Sequence, residues 1–175
     1  MRSLLMVGVL FFAVAGSAMA QDYPKGEVGG NYTYIRINPG GSNCHGGGGS
    51  AAWNLNHYFG VAGEFDGCKV TGLSVGSAHA FTYLFGPRVT YRTHGGLEPF
   101  AEALVGGARI TASGGGASAS LNSFAFAVGG GADYKFSRSI TIRFIQADYL
   151  FTHFAGVKQN NARIQAGVVY RFGGR

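Results

Sequence analysis

The chain has 175 residues, with 14 Lys and Arg against 8 Asp and Glu for a formal net charge of +6, and 31 glycines. Charged side chains make up only 13% of it and mean hydropathy is +0.12, so the composition of an ordinary solvated surface, about a quarter charged, is missing. The arginines stand singly among apolar residues, which argues against a nucleic-acid-binding stripe, and two classes remain: a Gly-rich low-complexity protein, or a β protein whose outer surface does not face water.

In chain order, the first element is a leader. Arg2 precedes an apolar run from Leu4 to Ala15, and Ala18-Met19-Ala20 forms a small-x-small cleavage site, so residues 1–20 read as a cleaved secretory signal peptide and residues 21–175 as one mature domain. The run is shorter than the roughly 20 residues of a membrane-spanning helix. No cysteine follows the cut, so the leader is not of the lipoprotein kind. Export also removes nucleic acid as a partner.

From Glu27 the chain falls into segments of about ten residues with period-two alternation, the pattern of transmembrane strands. GEVGGNYTYI sets Val28, Gly30, Tyr32 and Tyr34 against Glu27, Gly29, Asn31 and Thr33. NPGGSNCHGGGGS is expected as a long loop. AAWNLN then opposes Ala51, Trp53 and Leu55 to Asn54 and Asn56, and HYFG makes a tight joint to VAGEFD, which opposes Val61 and Phe65 to Glu64 and Asp66. FTYLFGPRVTY opposes Phe81, Tyr83, Phe85, Val89 and Tyr91 to Thr82, Gly86, Arg88 and Thr90.

After the joint RTHGG comes PFAEALVGGARI, with Glu102 on the parity of Leu104, and then a second expected loop, TASGGGASASLN. SFAFAVGGGADY places Phe124, Phe126 and Val128 opposite Ser123, Gly129 and Asp133; KFSRS leads to SITIRFIQADYLF, where Arg143 is out of parity with Gln146 and Asp148. That mismatch predicts a bulge near Phe144. The last segment, ARIQAGVVYRF, opposes Ile164, Ala166, Val168, Tyr170 and Phe172 to Arg163, Gln165, Gly167 and Arg171. Eight segments, with short joints alternating with long Gly/Ser/Asn stretches, predict an all-β, eight-stranded antiparallel up-and-down transmembrane β-barrel with turns at one end and extracellular Gly-rich loops at the other.

Alternation does not say which face points outward, because a soluble lipocalin-like barrel keeps its apolar side chains inside. The polar face decides: it is Gly, Ser, Thr and Asn with sparse charges, and lysine is scarce. Such a face suits a narrow lumen in which small residues relieve crowding and the charges pair. The expected lumen network is Glu27, Glu64, Asp66, Glu102, Asp133 and Asp148 with Arg88, Arg143, Arg163 and Arg171. Eight strands leave an interior that side chains fill, so a structural core is favoured over an ion pathway.

The middle stretches FGPRVTYR and PFAEALVGGARI, the sixth segment FAVGGGADYKF and the terminal QAGVVYRF resemble the small outer-membrane β-barrel family of the OmpA/OmpX type, over essentially the whole mature chain. The ending is similar to that family's assembly signal, polar-x-Gly-x-x-aromatic-x-aromatic, with Gln165, Gly167, Tyr170 and Phe172 at the matching positions. Gly173, Gly174 and Arg175 follow where the family usually ends on the aromatic. The resemblance implies a monomeric barrel in the bacterial outer membrane, surrounded by its lipids and inserted by the barrel-assembly machinery.

Cys44 and Cys68, expected in the first and second long loops, form the candidate disulfide of an exported chain. A metal site with His45 and His79 lacks zinc-ligand spacing. His45, His57, His79, His94 and His153 are expected on loops and turns. The only pairs near an enzyme's needs are Ser77 with His79 and Asp148 with His153, and neither fits a catalytic motif. GGGG and GGGASAS lack the Lys-Ser/Thr of a phosphate-binding loop and read as flexible loops. The expectation is a structural, non-catalytic barrel with no catalytic residues, cofactor or metal, supporting envelope integrity or surface interaction through an extracellular partner that composition does not identify. The alternatives are a soluble exported ligand-binding barrel and an outer-membrane enzyme active at its rim.

Overall fold

Each strand's backbone N–H and C=O groups need partners, and an open sheet leaves two edges without them. In the computed structural model the eight strands close on themselves. They are β1 (Gly26–Arg36), β2 (Asn43–Asn54), β3 (Phe59–Thr71), β4 (Ser77–Thr90), β5 (Leu97–Gly114), β6 (Ala117–Lys135), β7 (Ile140–Phe154) and β8 (Val157–Phe172). Neighbours in sequence are neighbours in space, every pairing is antiparallel, and β1 pairs with β8 from Gly26 opposite Phe172 to Arg36 opposite Ala162. The structure describes residues 23–38, 41–71, 77–93, 95–114, 117–154 and 157–174. The expected leader 1–20 with its cleavage site, His94 and Arg175 lie outside the described residues.

The faces follow the parity of the sequence. Val28, Tyr32, Trp53, Val61, Phe65, Phe85, Phe124 and Val168 are exposed on the outer wall, whereas Glu27, Thr33, Asp66, Arg88, Asp133 and Arg163 are buried in the lumen. The outward series from Phe81 on β4 to Tyr91, one residue past its end, runs about 33 Å along the chain, which at a tilt of roughly 40° spans about 25 Å, the height of a membrane's apolar band. The register slips between Ala132 and Asp133 on β6, and between Arg143 and Gln146 opposite β8. Phe144 and Ile145 consequently both face outward, and Gln146 and Asp148 return to the lumen.

The strands are longer than the sequence pattern suggests, and the connections correspondingly shorter. Asn43 to Ser50, expected in a loop, is the first two thirds of β2, with Gly46 to Gly49 in register against Thr33 to Gly30 on one side and Cys68 to Phe65 on the other. Most of TASGGGASASLN likewise belongs to β5 and β6. GGGG is therefore a strand, not a flexible loop, and most of GGGASAS is strand as well. His45, His79 and His153 sit on strands; His57 is in the β2–β3 turn. A glycine run shows no side-chain alternation, yet its backbone bonds to both neighbours as well as any other sequence.

Glycine has a second use at the seams. The rings of Phe81, Tyr83 and Phe172 lie over Gly67, Gly107 and Gly26 of the adjacent strand, where an added Cβ would press tightly on the first ring and collide with the other two. At the closing seam a Cβ on Gly167 would meet the Gly30 carbonyl and the Asn31 Cα. Backbone cannot swing aside as a side chain can, so Gly167→Val is expected to destabilise the closed barrel by about 1–3 kcal/mol. Urea titration of the refolded protein in bilayers checks it, and a midpoint equal to wild type would show that the seam relaxes freely.

Candidate functional site

Among the described residues the buried charged side chains gather in the lumen, and its geometry follows from strands meeting across a narrow barrel. At its centre Arg163, on β8 and fully buried, reaches three carboxylates: Nη2 to Glu64 Oε2 at 2.5 Å and to Asp148 Oδ2 at 2.7 Å, and Nη1 to Asp66 Oδ2 at 2.9 Å. Asp66 also accepts from Thr33, Asn31 and Gln165. Gln146 places its amide nitrogen within 2.8–2.9 Å of Glu64, Glu102 and Asp148 and accepts from Arg143 through its oxygen at 2.8 Å.

A second group lies toward the end that holds the start of β1, the end of β8 and the short turns. Arg143 Nε donates to Asp133 at 2.9 Å, and Arg88 Nη2 lies 3.2 Å from the same carboxylate. The guanidiniums of Arg88 and Arg143 both cover the Phe100 ring, 3.9 and 4.5 Å from its centroid, an attraction that strengthens away from water. Arg171 faces Glu98 at 2.6 Å and Glu27 at 3.6 Å, and Glu27 also meets Arg92 at 3.2 Å and Asn54 at 3.0 Å. Toward the opposite end the lumen turns apolar, with Ile35, Leu84, Leu104, Leu150, Val70 and the disulfide packed together.

The structure thus places all ten expected network residues inside: Glu27, Glu64, Asp66, Arg88, Glu102, Asp133, Arg143, Asp148, Arg163 and Arg171. Four further members escape the sequence pattern. Arg92 and Glu98 fall in what reads as a turn and its approach, although they continue the parities of Arg88 and Glu102. Gln146 is hidden by the bulge, and Phe100 is an aromatic on the charged side. Five arginines meet seven carboxylates among the described residues, and the amides of Gln146, Gln165, Asn31 and Asn54 supply further donors to Glu27, Glu64, Asp66, Glu102 and Asp148.

Glu64, Glu102 and Asp148 each bring one oxygen within 4.8 Å of the others, a spacing a cation could use. The Gln146 amide already donates into that space and Arg163 already holds two of the three acids. A vestibule of about 920 Å³ opens at the turn end, lined by Arg92, Glu98, Lys135, Arg138 and Arg171, and a gap of about 30 Å³ lies under the disulfide. The buried Arg163 and Gln146 clusters stand between them.

The disulfide is not where the sequence suggests. Cys44 and Cys68 are bonded, with Cα atoms 5.5 Å apart, but they sit within β2 and β3, diagonal to one another across the ladder, and point into the lumen rather than joining two loops. The bond closes a segment with a sequence separation of 24, for which loop-closure entropy gives about 3 kcal/mol. Cys44→Ala/Cys68→Ala is expected to lose up to that amount, read as a lower urea midpoint that reductant no longer changes. Asp148 and His153 are kept apart, Asp148 in the lumen on Arg163 and His153 exposed on the outer wall; of the other pair, the Ser77 side chain lies outside the described residues.

A profile of the outer membrane protein beta-barrel domain family matches residues 5–172. Among solved structures, Neisserial surface protein A superposes with a TM-score of 0.67 at 15% identity, covering 84% of this chain and 96% of its own. Ail, the attachment invasion locus protein of Yersinia pestis, gives 0.55 at 19%, covering 87% and 99%. The N-terminal barrel domain of Pseudomonas aeruginosa OprF gives 0.54 at 16%, covering 88% and 100%. No curated protein sequence matches. At these identities the likeness is one of fold.

Proposed function

Because the chain belongs to the outer membrane protein beta-barrel domain family, and so to the bacterial outer membrane, we propose that it serves there as a monomeric structural barrel whose lumen is sealed by its own ion pairs. One observation carries this reading: charged side chains crowd a filled lumen while the wall around it is apolar and exposed. A soluble ligand-binding barrel has the opposite arrangement, an apolar cavity and a charged outside. Closure satisfies the strand hydrogen bonds in a medium that offers no alternative partners.

Residues 1–20 are the cleaved leader in this reading, and 21–175 the mature barrel. Tyr170 and Phe172 form the outward aromatic end of β8, stacked with centroids 6.4 Å apart, and Phe172 covers Gly26 at the β1–β8 seam. With Gln165 and Gly167 on the lumen face of the same strand, this edge is free until closure and is the part offered to the assembly machinery. The role is non-catalytic: support of the envelope and presentation of the loop end to the surroundings.

The test is membrane fractionation, electrophoretic mobility with and without boiling, and planar-bilayer recording. The expected result is outer-membrane protein with a heat-dependent shift and no steady conductance. Protein soluble without detergent would overturn the membrane role, and a steady open conductance would overturn the sealed lumen.

A further inference from the structure

The charges of the lumen are sorted along its axis. All seven acidic residues among the described residues are buried there, each at most 6% exposed. The central group sets Arg163 against Glu64, Asp66 and Asp148, with Glu102 beside them, an excess of three negative charges. The turn-end group sets Arg88, Arg92, Arg143 and Arg171 against Glu27, Glu98 and Asp133, an excess of one positive charge. Lys135 and Arg138, exposed and lining the vestibule at that end, raise the excess to three, and neither is ion-paired among the described residues.

The same end holds the donors left over. Among the described residues four buried guanidinium N–H sites have no hydrogen-bond partner: Arg88 Nε, Arg92 Nε, and Arg171 Nε and Nη2. All four belong to the turn-end group. The two on Arg171 stand 3.6 Å from Glu27 and 3.8 Å from Asp133, close enough for attraction but too far for a hydrogen bond. Arg92 and Arg171 line the vestibule of about 920 Å³, with side chains only 4% and 3% exposed. Glu98, the one acid among the described lining residues, is already held by Arg171 at 2.6 Å. A buried donor without a partner is costly, and a cleft lined by one sign of charge concentrates the opposite ion.

We propose that the vestibule is a binding site for a small solute carrying two or more oxyanion groups, phosphate or carboxylate, drawn from the side of the membrane that the short turns face. The proposal goes beyond the structural role above and rests on the membrane reading only for that side. The volume is that of a small-molecule site, but its lining is cationic where such sites are ordinarily apolar, so the matching ligand is an anion. A guanidinium takes two oxygens of a phosphate or carboxylate through charge-assisted hydrogen bonds. Arg92 and Arg171 in the wall supply that geometry, and Lys135 and Arg138 add attraction at longer range. Four cations around one cup favour a multivalent anion over a single carboxylate.

The experiment is calorimetric titration of the detergent-solubilised folded barrel with tripolyphosphate, with citrate and with acetate, at low salt in a buffer free of oxyanions. Wild type should bind tripolyphosphate or citrate about 100-fold more tightly than acetate, and less tightly as salt rises. The tighter of the two identifies the oxyanion. Lys135→Gln/Arg138→Gln, at exposed positions, should lose about 10-fold in affinity while keeping its heat-dependent mobility shift. Lys69→Gln/Lys158→Gln, which removes the same charge from exposed positions at the opposite end, should bind as wild type. Arg92→Gln should lose at least as much as the Lys135/Arg138 variant; should it fail to fold, that exposed pair decides alone. Absence of binding by both polyanions, equal affinity for acetate, or equal affinities of the Lys135/Arg138 and Lys69/Lys158 variants would overturn the proposal. A wild type without a heat shift would instead overturn the barrel reading.

Discussion

Replacing Arg163 with methionine is expected to be the most damaging single change in the lumen, lowering the free energy of unfolding by about 3–5 kcal/mol. The guanidinium is fully buried and holds Glu64, Asp66 and Asp148 together. Methionine of similar length fills the space but leaves three carboxylates facing one another without the cation. The cost is the orphaned acids and not lost packing. Asp148→Asn added to Arg163→Met should therefore recover part of the loss, because it removes one acid while Asn can still accept from Gln146, which packing alone would not predict. Urea titration in bilayers, followed through the single tryptophan, Trp53, which stands on the lipid-facing wall, measures both. A loss under about 1 kcal/mol for the single variant would show that water enters the network and screens it.

Val168→Arg tests the other face. Val168 is 54% exposed on the outer wall, in register with Gly30 and Ile142, so an arginine there meets no steric obstacle from β1 and the effect is one of charge in hydrocarbon. The expected cost is about 2–4 kcal/mol near midplane, falling to about 0–1 toward the interface. Val168→Ala, which removes apolar area without adding charge, is expected to cost about 1 kcal/mol or less. The two variants measured in the same bilayers separate polarity from size. Equal stability of Val168→Arg and wild type would mean that this wall does not face lipid, and the faces of the whole barrel would have to be exchanged.

The sequence by itself determined the strand count, the lumen and lipid faces, and the side on which the acids lie. Each of those is carried by alternation within one strand: Glu64 with Asp66 against Phe65, Gln165 with Arg163 against Ile164. Successive side chains of any extended strand point oppositely whatever its neighbours do. Even the slip at Phe144 shows as a parity error between Arg143 and Gln146, because a bulge is a local insertion.

The registers between strands, and so which side chains meet across the lumen, were settled only by the tertiary structure. That Arg163 meets Glu64 and Asp66, nearly a hundred residues earlier, follows from the closing of β8 on β1 and the curvature that brings β3 across the lumen. No spacing along the chain encodes it. The same holds for the Gly46–Gly49 run, which has no side chains to show a period and becomes strand because β1 and β3 both offer it hydrogen bonds. Cys44 moved with it from an expected loop to the lumen wall. Arg92 and Glu98 were legible only by extending their parities through residues that look like a turn, since a strand ends where its neighbours stop pairing with it and not where its alternation fades.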